Sequence, residues 1–217
     1  MLVGSRMSKP VITVRPEMSI QDAMDMMRKE NVSRFPVIDN KGNMVGIVSE
    51  TDLIHASPSE ATTLSIWEIH SLLSKITVDH VMSKKVITVT EETPLEEAAR
   101  LMADKKIGGL PVMRGDDLVG IITETDLFKI FLELLGARES GVRLSALMRN
   151  LPGELCKLTS AISAAGGNIV ALATFLGDST ENRMVVIKVI GIPLEELRRI
   201  ISPLVELITD LRETKAA

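Results

Sequence analysis

Two octets, Gly46–Leu53 (GIVSETDL) and Gly120–Leu127 (GIITETDL), set a hydroxyl residue, a second threonine and an aspartate in the same order. In the first these are Ser49, Thr51 and Asp52; in the second Thr123, Thr125 and Asp126. At a strand-to-helix turn such residues can do two things. They can cap the helix by accepting backbone N–H bonds, worth about 1 kcal/mol per cap. They can also hold a ligand, with hydroxyls and free amides on a phosphate and the carboxylate on two hydroxyls of a ribose. Sequence alone leaves both open. Glu50 and Glu124 lie inside the octets but have no nucleophile or paired base beside them, so they read as solvated rather than catalytic. His55, His70 and His80 lack cysteine or carboxylate partners at metal spacing, so no metal site is expected. Cys156 is the single cysteine and reads as a small buried side chain.

The octets are the ends of a longer repeat. Met7–Val37 aligns with Met82–Val112 without a gap, and one residue is lost in the turn that follows. Such self-similarity means one supersecondary unit made twice. Each copy predicts a first strand (Val11–Val14, Val86–Val89), then a helix with a start signal, Ser19 with Asp22 or Thr93-Pro94 with Glu96. Ile20, Ala23, Met24 and Met27, and in the second copy Leu95, Ala98, Ala99 and Met102, have the spacing of a buried helical stripe. Two hairpin strands follow, then a helix from each TDL, giving β-α-β-β-α. The methionines between Met18 and Met27 read as core. Between the copies, an apolar stripe from Leu64 to Ile76, with Trp67 as an anchor, predicts a packed connector helix.

Composition narrows the classes. The chain has 217 residues, 45% of them hydrophobic, and a net charge of −4. Scattered Lys and Arg, no Tyr and a single Trp disfavour nucleic acid. No apolar run approaches membrane-spanning length, and the first residues lack a secretory core. One cysteine fits a reducing, cytoplasmic setting.

The paired octets, with "RFPV" and "GLPV" on matching strands, resemble the tandem cystathionine-β-synthase (CBS) pair, or Bateman module, over roughly residues 7–135. The resemblance implies two clefts for adenine nucleotide (AMP, ADP or ATP) as regulatory ligand, with no catalytic cofactor. Cleft A would use Ser49, Thr51 and Asp52 opposite Lys85, Ile87, Ile107 and Gly108, with Arg34 as a phosphate-binding cation. Cleft B would use Thr123, Thr125 and Asp126 opposite Pro10, Ile12, Val32 and Ser33. Position 109, equivalent to Arg34, is glycine, so cleft A is expected to prefer more phosphate charge.

After Leu134–Gly141 the grammar changes. A strand over Val142–Arg149, a helix stopped by Gly166-Gly167, two strands, a helix to about Ser202 and a last strand from "ELITDLRE" give β-α-β-β-α-β, the ferredoxin-like order. "LPGEL" and "GGNI" resemble an ACT domain, an amino-acid-sensing module. That resemblance implies a ligand turn at Asn150, Leu151, Pro152, Gly153, Glu154 and Leu155.

The expected architecture is thus α+β: a first CBS repeat (1–56), a connector (57–81), a second repeat (82–135), a hinge (136–141) and an ACT domain (142–217). The whole resembles bacterial acetoin-utilisation CBS–ACT proteins. It implies a non-catalytic, homodimeric sensor that signals to a partner protein by conformational change. A dimerisation scaffold with empty clefts and an ACT-only amino-acid sensor are the alternatives.

Overall fold

The computed structural model describes residues 1–56 and 75–215. It divides into two units, Met1–Leu127 and Phe128–Ala217.

The first unit holds the two repeats. Helix α1 (Ile20–Glu30), strands β1 (Arg34–Ile38) and β2 (Met44–Ser49) and helix α2 (Glu50–Ala56) form the first. A short helix α3 (Val78–Val81) precedes the second, made of β3 (Val89–Thr90), α4 (Leu95–Lys105), β4 (Gly109–Arg114), β5 (Asp117–Thr123) and the start of α5 (Glu124–Leu134), whose residues from Phe128 on belong to the second unit. β1 pairs with β2 antiparallel, and β4 with β5 likewise.

The stripes behave as their spacing requires. Ile20, Ala23 and Met27 are buried on α1 and Leu95, Ala98 and Met102 on α4, while Met24 packs partly exposed against the first core. Ser19 caps α1 by accepting the Asp22 amide at 3.1 Å. The start of α4 differs from expectation. Its N-cap is Pro94, and Thr93 turns back to accept the Thr90 amide at 3.1 Å.

The expected first strands are also shorter. Val11–Val14 makes one parallel bridge, Val14 to Val37, and of Val86–Val89 only Val89 lies in a strand, the two-residue β3. The reason lies just upstream. Ser8 bridges to Ile121 and Ser83 to Ile47, so each segment first pairs with the opposite repeat and reaches its own sheet late.

This crossing has a further consequence. The Val3 and Gly4 amides donate to Thr93 and Glu91 carbonyls at 2.9 Å each, and Leu95 N–H donates to Met1. In the same way Ile20 N–H donates to Ile76 at 3.0 Å and Val78 N–H to Met18 at 2.9 Å. The arm ahead of each repeat therefore packs on the other repeat. Val3 and its equivalent Val78 are both fully buried. The connector stripe from Leu64, Trp67 and His70 fall within 57–74, outside the described residues; Ile76 packs on the first core.

The second unit contains β6 (Gly141–Arg149), α6 (Glu154–Ala164), β7 (Asn168–Leu176), β8 (Asn182–Ile190), α7 (Leu194–Ile201) and β9 (Leu207–Thr214). The sheet order is β7-β8-β6-β9, all antiparallel. This is the β-α-β-β-α-β arrangement, and the last segment is indeed a fourth strand, paired with β6. Both helices cover one face, where Leu144, Leu158, Ile162, Ile187, Leu197 and Ile201 are fully buried. Gly166, at φ 82°, supplies the left-handed turn that ends α6. Lys188 is buried, and its ammonium donates to the carbonyls of Gly136 and Glu139 at 2.6 Å each. Cys156, expected inside, is exposed. It follows Leu155 onto the solvent side of α6, away from the Leu158–Ile162 stripe.

Candidate functional site

The duplicated turns fold alike. Ser49 donates from both its amide and its hydroxyl to Asp52 Oδ2, at 2.8 and 2.7 Å. Ser49 Oγ accepts the Asp52 amide at 3.3 Å. Thr123 and Asp126 repeat the pattern at 2.9, 2.7 and 3.4 Å. Each turn is therefore a reciprocal cap, so the capping chemistry is present in full. It uses one carboxylate oxygen. Thr51 and Thr125 stay exposed on the first turn of each helix, outside the caps.

The second carboxylate oxygen separates the copies. Asp126 Oδ1 takes a hydrogen bond from Ser8 Oγ at 3.4 Å, and Asp126 is buried. Asp52 is half-buried, and among the described residues its Oδ1 accepts no hydrogen bond. The composition of the octets carries no trace of this difference, which comes from the arm.

The expected opposing residues follow the crossed bridges in sequence. Lys85 and Ile87, both exposed, come just after Ser83, which bridges to Ile47 of β2. Pro10 and Ile12 come just after Ser8, which bridges to Ile121 of β5. Ser33 O accepts the Glu50 amide at 2.9 Å, and Gly108 O accepts the Glu124 amide at 3.1 Å. Val32 packs on the first core and Ile107 is half-buried at the end of α4.

Arg34 reaches across to the second repeat. A β-carbon placed on Gly108 or Gly109 would overlap its guanidinium, so the two glycines form a bed that no larger residue would leave open. Arg34 is half-buried, yet among the described residues it makes no hydrogen bond and no ion pair at contact distance. Burial lowers its pKa from the ordinary value, and the charge of Glu124 pulls it back up. Glu124 itself is exposed, as Glu50 is, in keeping with a solvated position; its charge is the one that opposes the lowering at Arg34.

Sequence reading missed Met7, Ser8 and their counterparts. The sulfur of Met7 fills the space beside Gly120, and that of Met82 the space beside Gly46. A signal existed: Met-Ser at 7–8 and 82–83, and glycine at 46 and 120, stand in both copies.

In the second unit, the turn ahead of α6 is largely engaged with its own neighbours. Asn150 donates from its amide to Glu181 O at 2.7 Å and from its side chain to Thr180 O at 3.0 Å. Glu154 is buried between Lys157, at 2.7 Å, and Arg149, at 3.3 Å. The Lys157 hydrogen bond, aided by Arg149, holds its carboxyl below the usual range. Leu151 and Pro152 are exposed, Gly153 adopts φ 87°, and Leu155 packs on the core. A cavity of about 340 Å³ opens beside Arg149, Glu154, Lys157 and Pro203–Glu206. Among the described residues no group of His, Cys, Asp and Glu could hold a metal ion. No helix there is long and apolar enough to cross a membrane.

Comparison with known proteins places this geometry. The CBS domain model matches residues 3–59 and 78–133. A CBS domain-containing protein of Dictyostelium discoideum is 30% identical over 135 residues, covering 62% of this chain and 93% of that protein. Other relatives are longer: the chain spans 23% of an L-aspartate semialdehyde sulfurtransferase of Methanocaldococcus jannaschii, at 32% identity over 60% of this chain. Among solved structures, a CBS domain pair in complex with 5′-methylthioadenosine and S-adenosyl-L-methionine matches with a TM-score of 0.51 and 29% identity, over 64% of this chain and 98% of that one. The CBSX2 protein in complex with AMP gives 0.51 and 32%, over 61% and 97%. An acetoin utilization protein from Vibrio cholerae gives 0.52 and 32%, over 63% and 93%. The chain belongs to the CBS-domain family and carries that domain twice, as the arm-exchanged pair described above.

Proposed function

We propose that the CBS pair is a non-catalytic sensor of adenine nucleotides. Asp52 and Asp126 would hold ribose hydroxyls, the exposed Thr51 and Thr125 would flank the phosphate, and Arg34 would neutralise it. Lys85, Ile87, Ile107 and Gly108 would wall cleft A; Pro10, Ile12, Val32 and Ser33 would wall cleft B. The observation that carries this reading is Arg34. A half-buried guanidinium with no acceptor is costly unless an anion completes it. Related pairs crystallised with AMP, and with S-adenosyl-L-methionine and 5′-methylthioadenosine, support the adenosine part.

The second unit is read as an ACT domain on its strand order, with an amino acid at Asn150–Leu155. Ligand in either unit would shift the hinge at 136–141 and thereby a partner protein, by no more than its differential affinity for the two states. A homodimer in the cytoplasm is the setting this reading requires.

Calorimetric titration with adenosine, AMP, ATP and S-adenosylmethionine tests the reading. Saturable binding, weakened in cleft A by Asp52→Ala and in cleft B by Asp126→Ala, is expected. Lack of heat with all four, with no thermal stabilisation, would leave the pair a scaffold.

A further inference from the structure

The crossed contacts of the first unit come in matched pairs. Ser8 meets Ile121 and Ser83 meets Ile47; Met7 fills against Gly120 and Met82 against Gly46. Ser8 is the counterpart of Ser83, Ile47 of Ile121, Met7 of Met82 and Gly46 of Gly120. The two repeats are therefore related by an internal two-fold axis, with each contact present twice. One contact is different. Arg34 lies on Gly109, and position 109 is the counterpart of position 34. In a two-fold arrangement a position that meets its own counterpart lies on the axis.

The surroundings agree. On the backbone, Arg34 is paired with Ser49, the first residue of one octet turn, and Gly109 with Thr123, the first of the other. The guanidinium also overlies Gly108, whose carbonyl accepts the Glu124 amide. Both turns thus begin beside the same cation. The axis has room for only one such side chain, because its counterpart position must remain glycine for the first to lie down.

We infer that Arg34 is a single cation shared by the two clefts, so that the pair accepts one anionic adenosine ligand well and a second one only at a penalty. The inference rests on the nucleotide reading above. A phosphate that takes Arg34 in cleft A leaves cleft B without it. An uncharged adenosine ligand is spared that loss. Gly109 is a positioning residue: it touches no ligand in this scheme and acts by letting the guanidinium lie between the turns.

The test uses the full chain and compares adenosine with AMP by titration calorimetry. Adenosine sets the intrinsic difference between the clefts. The two AMP affinities should differ by about tenfold more than the two adenosine affinities, the scale of one charge-assisted contact. Protein saturated with AMP in one cleft should still bind adenosine normally in the other. Arg34→Ala should collapse the AMP difference to the adenosine difference and leave adenosine unchanged. Gly109→Ala keeps the charge but evicts the guanidinium from its bed, and should give the same collapse in a chain that melts normally. Adenosine at two sites with AMP at two equally tight sites would overturn the shared cation and leave the nucleotide reading standing. So would an AMP difference that survives Arg34→Ala. Absence of binding by either ligand would overturn the nucleotide reading, and this inference with it.

Discussion

The first and second repeats carry the same turn, stripe and arm, and differ where the environment of each turn is finished. In the second, Ser8 donates to Asp126, which is buried; in the first, Asp52 keeps an open oxygen among the described residues. The first supplies Arg34 and the second the glycines it rests on. The first hairpin turn is organised by Asp39, whose Oδ1 accepts the Lys41 and Asn43 amides at 2.8 and 2.9 Å. The equivalent position in the second is Arg114, which pairs with Glu91 at 2.7 Å. The two copies share one scaffold, and these differences fall on residues that finish the site and its loops.

The comparison breaks most severely in the cores. Phe35 and its counterpart Leu110 are both fully buried. Phe35→Ala should cost about 4 kcal/mol and Leu110→Ala about 3 kcal/mol in urea unfolding, read as one cooperative loss because each repeat completes the other. Separate transitions for the two repeats would contradict the exchanged arms.

Val3→Ala should cost about 2 kcal/mol, and so should Val78→Ala. Hydrogen exchange should show the first loosening Thr93–Leu95 of the second repeat, and the second loosening Met18–Ile20 of the first. Loosening confined to the repeat next in sequence would refute the exchange.

Removing Glu124 sharpens the asymmetry of charge. Glu124→Gln should tighten AMP about threefold at low salt, with the gain fading as ionic strength rises, while Glu50→Gln changes little. Ser8→Ala should act in the same sense on cleft B alone, by freeing Asp126 Oδ1.

The smallest effect is acidic. The hydrogen bond from the Asn43 amide leads the contacts that hold the Asp39 carboxyl below its ordinary value. A lowered carboxylate stabilises above its unfolded pKa, about 3.9, and that contribution disappears as pH falls through the folded value. Below about pH 4 the 39–43 turn should exchange its amides before the 114–117 turn does. Asp39→Ala should abolish the difference in order.

Much of this was legible. The repeat, the stripes on α1 and α4, the hairpins and all four strands of the second unit follow from period, glycine and proline, because those features act locally. The exchange of arms was not, since Val11–Val14 has strand composition whichever sheet it joins. Cys156 was misread because a helix of mixed polarity leaves small residues free to face either way. At the site, the octets named their own residues, but Ser8 and Gly109 matter through positions distant in sequence. The Arg34–Glu124 relation is of the same kind.

The crossed arms also set a timetable. As the chain is made, residues 1–8 emerge long before Glu91, Thr93 and Ile121, their partners. The first repeat likewise lacks its covering segment until Ile76–Ser83 has appeared. Neither half can finish on the ribosome in the usual N-to-C order. The pair must close late and together, with a buried valine on each arm waiting in the open until then.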